Sequence, residues 1–168
     1  MTWHLLGLPD GRSGVPSLWL QHWALLHGVE QVQQHDWHRP LRGDWMMQLE
    51  EMVLRHPRVV LVADQLACHL VAAWAAHSRL TNRVLAAWLV ATPALARAED
   101  KARLPSWFPV VRKPMPFPAW SIAAEAGAPV QDWGARIVSM TGPDSDEPAW
   151  PAGWDSLQSQ THELIETN

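Results

Sequence analysis

Residues 59–74 read VVLVADQLACHLVAAW, and this stretch decides the fold. Its first part, Val59–Ala63, is a continuous apolar run, typical of a strand covered on both faces. From Leu66 onward the residues carry almost no charge, which indicates a well-buried helix. Small residues, Ala63 and Ala67, flank the turn between them. This order of strand, sharp turn and helix is that of a nucleophile elbow, which pushes its central residue out beyond the end of the sheet.

The central residue of this turn is Gln65. A Ser, Cys or Asp there would attack a substrate, whereas a carboxamide is a poor nucleophile and cannot be activated by losing a proton near neutral pH. The sequence therefore predicts a turn built to hold a catalytic residue that does not supply one.

Composition limits the classes of protein to consider. The 168 residues suffice for one domain, 1–168, and 48% hydrophobic with 18% charged residues is typical of a globular chain. The net charge is −4 and no Lys/Arg cluster occurs, so nucleic acid is not an expected partner. No apolar run approaches the length of a membrane span, and the N-terminus lacks the pattern of a signal peptide. With Cys68 as the only cysteine, no internal disulfide can form, and we expect a reducing, cytoplasmic location.

Apolar runs alternate with helical periodicity along the chain. Strands are predicted at 3–8, 29–33, 59–63, 84–90, 120–124 and 136–140, and helices at 16–26, 41–55, 66–76 and 154–165. The segment 93–118 is rich in Pro and is predicted to wrap the surface. This order predicts a three-layer α/β/α sandwich with a mostly parallel sheet of about six strands. Twelve Trp and no Tyr predict a Trp-rich core.

In such a sheet, ligands bind beyond the carboxyl ends of the strands. The turn at residues 63–67 lies at one such end, and we expect the loop Pro9-Asp10-Gly11 to lie beside it. The candidate ligand-binding residues are therefore Asp10, Gly11, Gln65 and Leu66.

Several short motifs, in this order and spacing, resemble the small serine hydrolases of the YdeN and retinoblastoma-binding protein 9 group, a compact branch of the α/β-hydrolases. The matching motifs are Leu8-Pro9, Trp19 with Trp23, QHDWHRP at 34–40 followed by Trp45, PMPFP at 114–118 and WPAGW at 150–154. The resemblance covers nearly the whole chain and implies the same fold.

The departures from that family fall on its chemistry. In the family's elbow, Asp64 stands in place of a His, Gln65 in place of the nucleophilic Ser, and Ala67 in place of a Gly. The stretch 124–129 lacks the family's catalytic Asp, and the stretch 141–148 is shortened and lacks its catalytic His. The segment between the fifth and sixth strands is also trimmed and is predicted to lack most of its helix. Asp10 replaces a Gly of the first loop, where a carboxylate would oppose a developing oxyanion.

Substitute catalytic groups are weak alternatives. Asp64 lies one residue before the apex of the elbow, so we favour a polar cap of the following helix, bonded to the N–H of Ala67. Cys68 and His69 are adjacent on a helix and do not face each other, so Cys68 is predicted to pack as a small hydrophobe.

The sequence also contains histidine pairs that could bind a metal and aromatic residues that could form a contact surface. The pairs His35/His38 and His22/His27 lack a supporting ligand motif, so neither a metal nor any other cofactor is expected. Trp120 and Trp133 are expected in the core, whereas Trp107 and Phe108 lie in a Pro-rich loop, where exposed rings would mark a contact surface.

These observations predict a catalytically inactive hydrolase homologue that acts as a binding or regulatory module. Its partner would be another protein or a small ligand in the vestigial cleft. The alternatives are an active hydrolase of small esters or amides with a non-standard site built on Asp64, Cys68 or a relocated His, and a structural subunit of an oligomer, for example a homodimer.

Overall fold

The computed structural model describes residues 3–10, 16–138 and 150–167. The strands are β1 (His4–Leu8), β2 (Glu30–Gln31), β3 (Val59–Asp64), β4 (Val84–Val90), β5 (Ala119–Ile122) and β6 (Arg136–Val138). The helices are α1 (Leu18–His27), α2 (Arg42–Leu54), α3 (Leu66–His77), α4 (Ala98–Arg103) and α5 (Trp150–Glu166), with short 3-10 turns at Thr81–Arg83 and Pro105–Trp107. No helix within these described ranges is long and apolar enough to cross a membrane.

All six strands belong to one sheet in the order β2-β1-β3-β4-β5-β6, and every neighbouring pair is parallel. Strand β3 lies near the centre, between β1 and β4, and all six of its residues are buried. This explains its continuous apolar sequence, because a central parallel strand is covered by helices on both faces. The predicted parallel α/β sandwich is confirmed.

Alternate residues of β3 pack into two separate cores. Val60 and Val62 contact α1 and α5, whereas Leu61 and Ala63 contact α2 and α3. Asp64 has the same parity as Val60 and Val62, so its side chain is directed toward the layer of α1 and α5.

Tryptophan dominates both cores, as predicted. The Trp side chains that are almost fully buried are those of residues 23, 45, 74, 88, 107, 120 and 133. The burial of Trp107 overturns the suggestion that this ring is exposed in its loop. Trp107 packs edge-on against Trp45, with ring centroids 5.5 Å apart, and its indole N–H donates to the carbonyl of Pro40 at 2.5 Å.

The connection between β5 and β6 contains turns and no helix over residues 123–135. This confirms the predicted trimming of that segment. Strand β6 ends at Val138, and the predicted continuation to residue 140 lies outside the described residues.

Candidate functional site

Gln65 occupies the apex of a sharp turn between β3 and α3. Its backbone has φ 51° and ψ −113°, a conformation that residues with a Cβ rarely adopt and that costs of order 1–3 kcal/mol. The turn is held because the N–H of Gln65 donates to the carbonyl of Val90 at 2.8 Å, and its carbonyl accepts from the N–H of Cys68 at 3.0 Å. The flanking Ala63 and Ala67 are completely buried, so larger side chains would not fit there. The elbow geometry is thus present with a carboxamide at its apex.

Asp64, one residue earlier, is the last residue of β3 and is buried. Its Oδ2 accepts a short hydrogen bond from the hydroxyl of Ser17. The N-cap position of α3 is occupied by Gln65, and the carboxyl group of Asp64 contacts the loop before α1. The expected bond from Asp64 to the N–H of Ala67 stays a prediction. The carboxyl group of Asp64 is thus buried on the side of α1, one residue before the apex of the elbow.

Ser17 is a residue next to the elbow whose contact sequence reasoning missed. It precedes α1 at the N-cap position, yet its side chain makes no capping hydrogen bond to that helix. A Ser before an apolar helical run is typical of a helix cap. The local sequence therefore gives no sign of the long-range contact between Ser17 and Asp64.

Cys68 lies in the first turn of α3 and is fully buried. Its Sγ is 3.5 Å from the carbonyl oxygens of both Ala63 and Val90. Burial, together with the negative charges of Asp64 and Asp10, raises the pKa of the Cys68 thiol to about 12. Because the thiolate is the reactive form, this thiol is not suited to nucleophilic attack.

His69 follows Cys68 but lies in different surroundings. Its Nε2–H donates to the carbonyl of Pro93 at 2.7 Å, and its ring packs edge-on against Trp133 with centroids 5.1 Å apart. Burial is the largest cause that lowers the pKa of His69 to about 4. The adjacent Cys and His therefore form no catalytic pair, as their helical spacing predicted.

Glu125 supplies the only carboxylate in the stretch 124–129. Its Oε2 accepts from the N–H of Ala94 at 2.9 Å, and its own N–H donates to the carbonyl of Thr92 at 2.9 Å. Glu125 thus joins the loops that follow β4 and β5. The stretch 141–148 lies outside the described residues, but its sequence contains no His.

The four predicted ligand-binding residues differ in accessibility. Asp10 and Gln65 are partly exposed, whereas Leu66 is completely buried and a ligand could reach it only after neighbouring side chains moved. Gly11 lies outside the described residues. Leu8, the last residue of β1, pairs with Ala63 of β3, so Pro9 and Asp10 leave the sheet beside the elbow as expected. Among the four predicted residues, the partly exposed polar groups are the carboxylate of Asp10 and the carboxamide of Gln65.

An open cavity of about 690 Å³ lies beyond the carboxyl ends of β4 and β5. Its walls include the apolar residues Leu95, Phe108 and Val110 and the basic residues Lys101 and Arg112. A concave and largely apolar surface of this size is typical of small-molecule sites. Sequence reasoning missed this cavity because its walls are formed by the folding back of the Pro-rich segment 94–112, together with Gly127 of the β5–β6 connection.

The histidine pairs examined in the sequence do not form metal-ligand clusters. His22, His35 and His38 are exposed, and His27 stacks on Trp154 with ring centroids 3.7 Å apart. Within the described ranges, a single group of three potential ligands was found, and it lies at the opposite end of the sheet: His4, Glu30 and His56.

Comparison with known proteins gives a consistent picture of the fold. A family model described as "Serine hydrolase" matches residues 11–159. No curated protein sequence matched the chain.

Three solved structures resemble this chain over most of their length. A protein described as a YdeN-like hydrolase from Pectobacterium atrosepticum is 18% identical with a TM-score of 0.69, and the match covers 96% of this chain and 92% of that one. The ydeN gene product from B. subtilis is 14% identical with a TM-score of 0.63, covering 94% and 98%. A protein described as a hydrolase of the α/β superfamily from Xanthomonas campestris is 14% identical with a TM-score of 0.55, covering 99% and 98%. At these identities the similarity establishes the fold alone.

Proposed function

The chain belongs to the serine hydrolase family, and because the apex of its nucleophile elbow carries Gln65, we propose that it is a non-catalytic member that binds a partner with the retained scaffold. The observation that carries this proposal is the backbone conformation of Gln65, since it places a carboxamide where the chemistry requires a nucleophile. The strained turn is maintained although its side chain cannot attack a carbonyl carbon.

The surrounding residues support this proposal. Triad chemistry needs a nucleophile, a base that takes its proton and an acid that orients the base. Cys68 is fully buried with a raised pKa, and Glu125 is bonded to the backbone of a neighbouring loop. No His occurs between His77 and His162, so the sequence offers no base in the segment where the family places one.

The chemistry of the cleft limits the ligands that fit it. Asp10 contributes a negative charge and Gln65 contributes both a donor and an acceptor. A protein segment or small ligand that presents a cationic or N–H group would be favoured, whereas an anionic ligand would be repelled.

Binding through the cleft can be tested by affinity capture from the native cell extract. The Gln65→Arg variant adds bulk and positive charge at the apex, and the Gln131→Arg variant makes the same change at an exposed position on the β5–β6 connection. We expect a partner retained by the wild type to be lost with Gln65→Arg and retained with Gln131→Arg. Equal retention by both variants would contradict binding through the cleft.

One observation favours a hydrolase with a non-standard site. The hydroxyl of Ser17 donates to the buried carboxyl group of Asp64. A Ser hydroxyl is activated for attack by an adjacent general base, and in this alternative Asp64 would take that role. Turnover of short-chain nitrophenyl esters that is lost in Ser17→Ala and in Asp64→Asn would favour this alternative.

Another observation favours self-association. The side chains of Leu18, Leu25 and Leu26 on α1 are 62%, 85% and 72% exposed. Light scattering coupled to size-exclusion chromatography tests this alternative, and a dimer that dissociates in Leu25→Glu would support a role as an oligomeric subunit.

A further inference from the structure

Three potential metal ligands converge at the amino ends of the strands, opposite to the elbow. The Nε2 of His4 is 2.5 Å from Oε2 of Glu30, and the Nε2 of His56 is 3.5 Å from the same oxygen. The three ligand atoms all lie within 4.8 Å of one another. The two imidazole rings are stacked, with centroids 3.6 Å apart and planes inclined by 10°.

The backbone at each of these residues is held by secondary structure. His4 begins β1, and its N–H donates to the carbonyl of Arg58 at 3.0 Å. Glu30 is on β2, in register with Leu6 of β1. His56 lies two residues after the end of α2, and its carbonyl accepts from the guanidinium of Arg83 at 3.2 Å. The cluster therefore rests on three elements that the sheet fixes relative to one another.

We propose that His4, Glu30 and His56 bind a divalent transition-metal ion of the Zn²⁺ class. Two imidazoles and one carboxylate form a ligand set used by zinc and by other first-row metals. The Nε2 of His56 is buried, and within the described part of the chain it has no well-formed hydrogen bond beyond the 3.5 Å contact with Glu30, so a metal ion would satisfy it. The site is independent of the proposed function because it lies at the other end of the sheet.

Binding of an ion requires one contact and one ring orientation in the cluster to change. Zinc bonds of about 2.0–2.2 Å in a tetrahedral site place ligand atoms about 3.4 Å apart. The contact between His4 and Glu30 is shorter than this and would be replaced, whereas the contact between His56 and Glu30 already has this length. Because the lone pair of each Nε2 lies in its ring plane, the stacked rings of His4 and His56 cannot both point at one ion, so the partly exposed His4 ring must leave the stack and rotate when the ion binds.

The surroundings leave room for a further ligand and impose one cost. An open pocket lined by Trp3, His4, His56, Pro57 and Arg58 adjoins the cluster, so water can complete the coordination. Arg58 lines the same pocket and Arg55 acts electrostatically on His56, and both positive charges oppose cation binding. The charge of Glu30 and the two neutral imidazoles must outweigh this repulsion.

Titration of the metal-free protein with Zn²⁺ by isothermal calorimetry tests the proposal. We expect one ion per chain, with affinity reduced at least about tenfold in His4→Ala, His56→Ala and Glu30→Gln, since changes to groups that merely support a ligand already cost 10–100-fold. The matched control is the double variant His35→Ala/His38→Ala, which removes two exposed imidazoles outside the cluster and should bind as the wild type does.

Visible absorption of bound Co²⁺ provides a second measurement that does not depend on the heat of binding. Co²⁺ bound by two imidazoles and a carboxylate should give visible d–d absorption that disappears in Glu30→Gln, with circular dichroism used to confirm that each variant is folded. Absence of binding by the wild type would overturn the proposal, as would equal loss of affinity in the double control variant, which would indicate adventitious surface binding only.

Discussion

The hydroxyl of Ser17 donates a hydrogen bond to Oδ2 of Asp64, which joins two residues 47 positions apart in the chain. Ser17 immediately precedes α1, and Asp64 ends the central strand β3 directly before the elbow. The contact therefore ties the loop that follows β1 to the turn that presents Gln65. It also uses a Ser and a carboxyl group for structure in a region where hydrolases use such groups for chemistry.

Loss of this contact is expected to destabilise the protein. Ser17→Ala removes a donor to a buried carboxyl group, which costs about 1–3 kcal/mol of the free energy of unfolding. Urea denaturation measures this loss. In a double-mutant cycle with Asp64→Asn, the double variant should lose less unfolding free energy than the sum of the losses in the two single variants. Strict additivity would show that the two side chains do not interact in the folded protein.

The strain at Gln65 predicts a stabilising substitution. Gly adopts a φ of 51° without the steric cost of a Cβ, so Gln65→Gly should relieve the strain. Gly also increases the entropy of the unfolded chain, so the expected net gain in the free energy of unfolding is about 1 kcal/mol. Gln65→Ala retains the Cβ and should give no such gain. Equal stabilities of the Gly and Ala variants, measured by thermal or urea unfolding, would show that the turn is unstrained.

Acid stability should depend on His69. Its pKa is about 4 in the folded protein and near 6.5 when the chain unfolds. The unfolded state therefore binds the proton more readily, so stability is complete above about pH 6.5 and decreases as the pH falls toward 4. The loss is on the order of 3 kcal/mol.

Urea unfolding at several values of pH separates His69 from the other titrating groups. His69→Gln should flatten the dependence between pH 6.5 and 4, whereas His38→Gln, at an exposed position, should leave it unchanged. If His69→Gln and the wild type lose stability in parallel, another group is responsible.

Cys68 is expected to be chemically silent in the folded protein. With its thiol fully buried and its pKa near 12, a disulfide reagent at pH 8 should not react until denaturant is added. Spectrophotometric thiol titration with and without guanidinium measures this difference. Rapid stoichiometric reaction of the native protein would contradict this prediction and would support Cys68 as a candidate nucleophile.

Much of the fold follows from local patterns. Strand β4 is found at the predicted residues 84–90, and β3 extends one residue beyond its prediction, because continuous apolar runs in central strands are unambiguous. Strand β2 is shorter than predicted, with only two residues, since an edge strand is specified by its neighbour β1 more than by its own sequence.

The candidate sites were harder to predict because distant residues form them. The position of Gln65 in the elbow could be predicted, since strand, turn and helix are contiguous. The contact of Ser17 with Asp64 could not be predicted, and neither could the cluster of His4, Glu30 and His56. Both depend on which loops meet at each end of the sheet, and local sequence spacing does not determine this. Trp107 was assigned to a surface loop by its Pro-rich neighbours, and tertiary packing placed it in the core.

Reaction with a fluorophosphonate probe, measured by intact-protein mass, tests the central claim most directly. Such probes form a covalent adduct with activated serines. The wild type should show no adduct, and Gln65→Ser should also show none, because restoring the hydroxyl does not restore a base. A stoichiometric adduct on the native wild-type protein that is abolished by prior denaturation would contradict the proposal that this chain is non-catalytic.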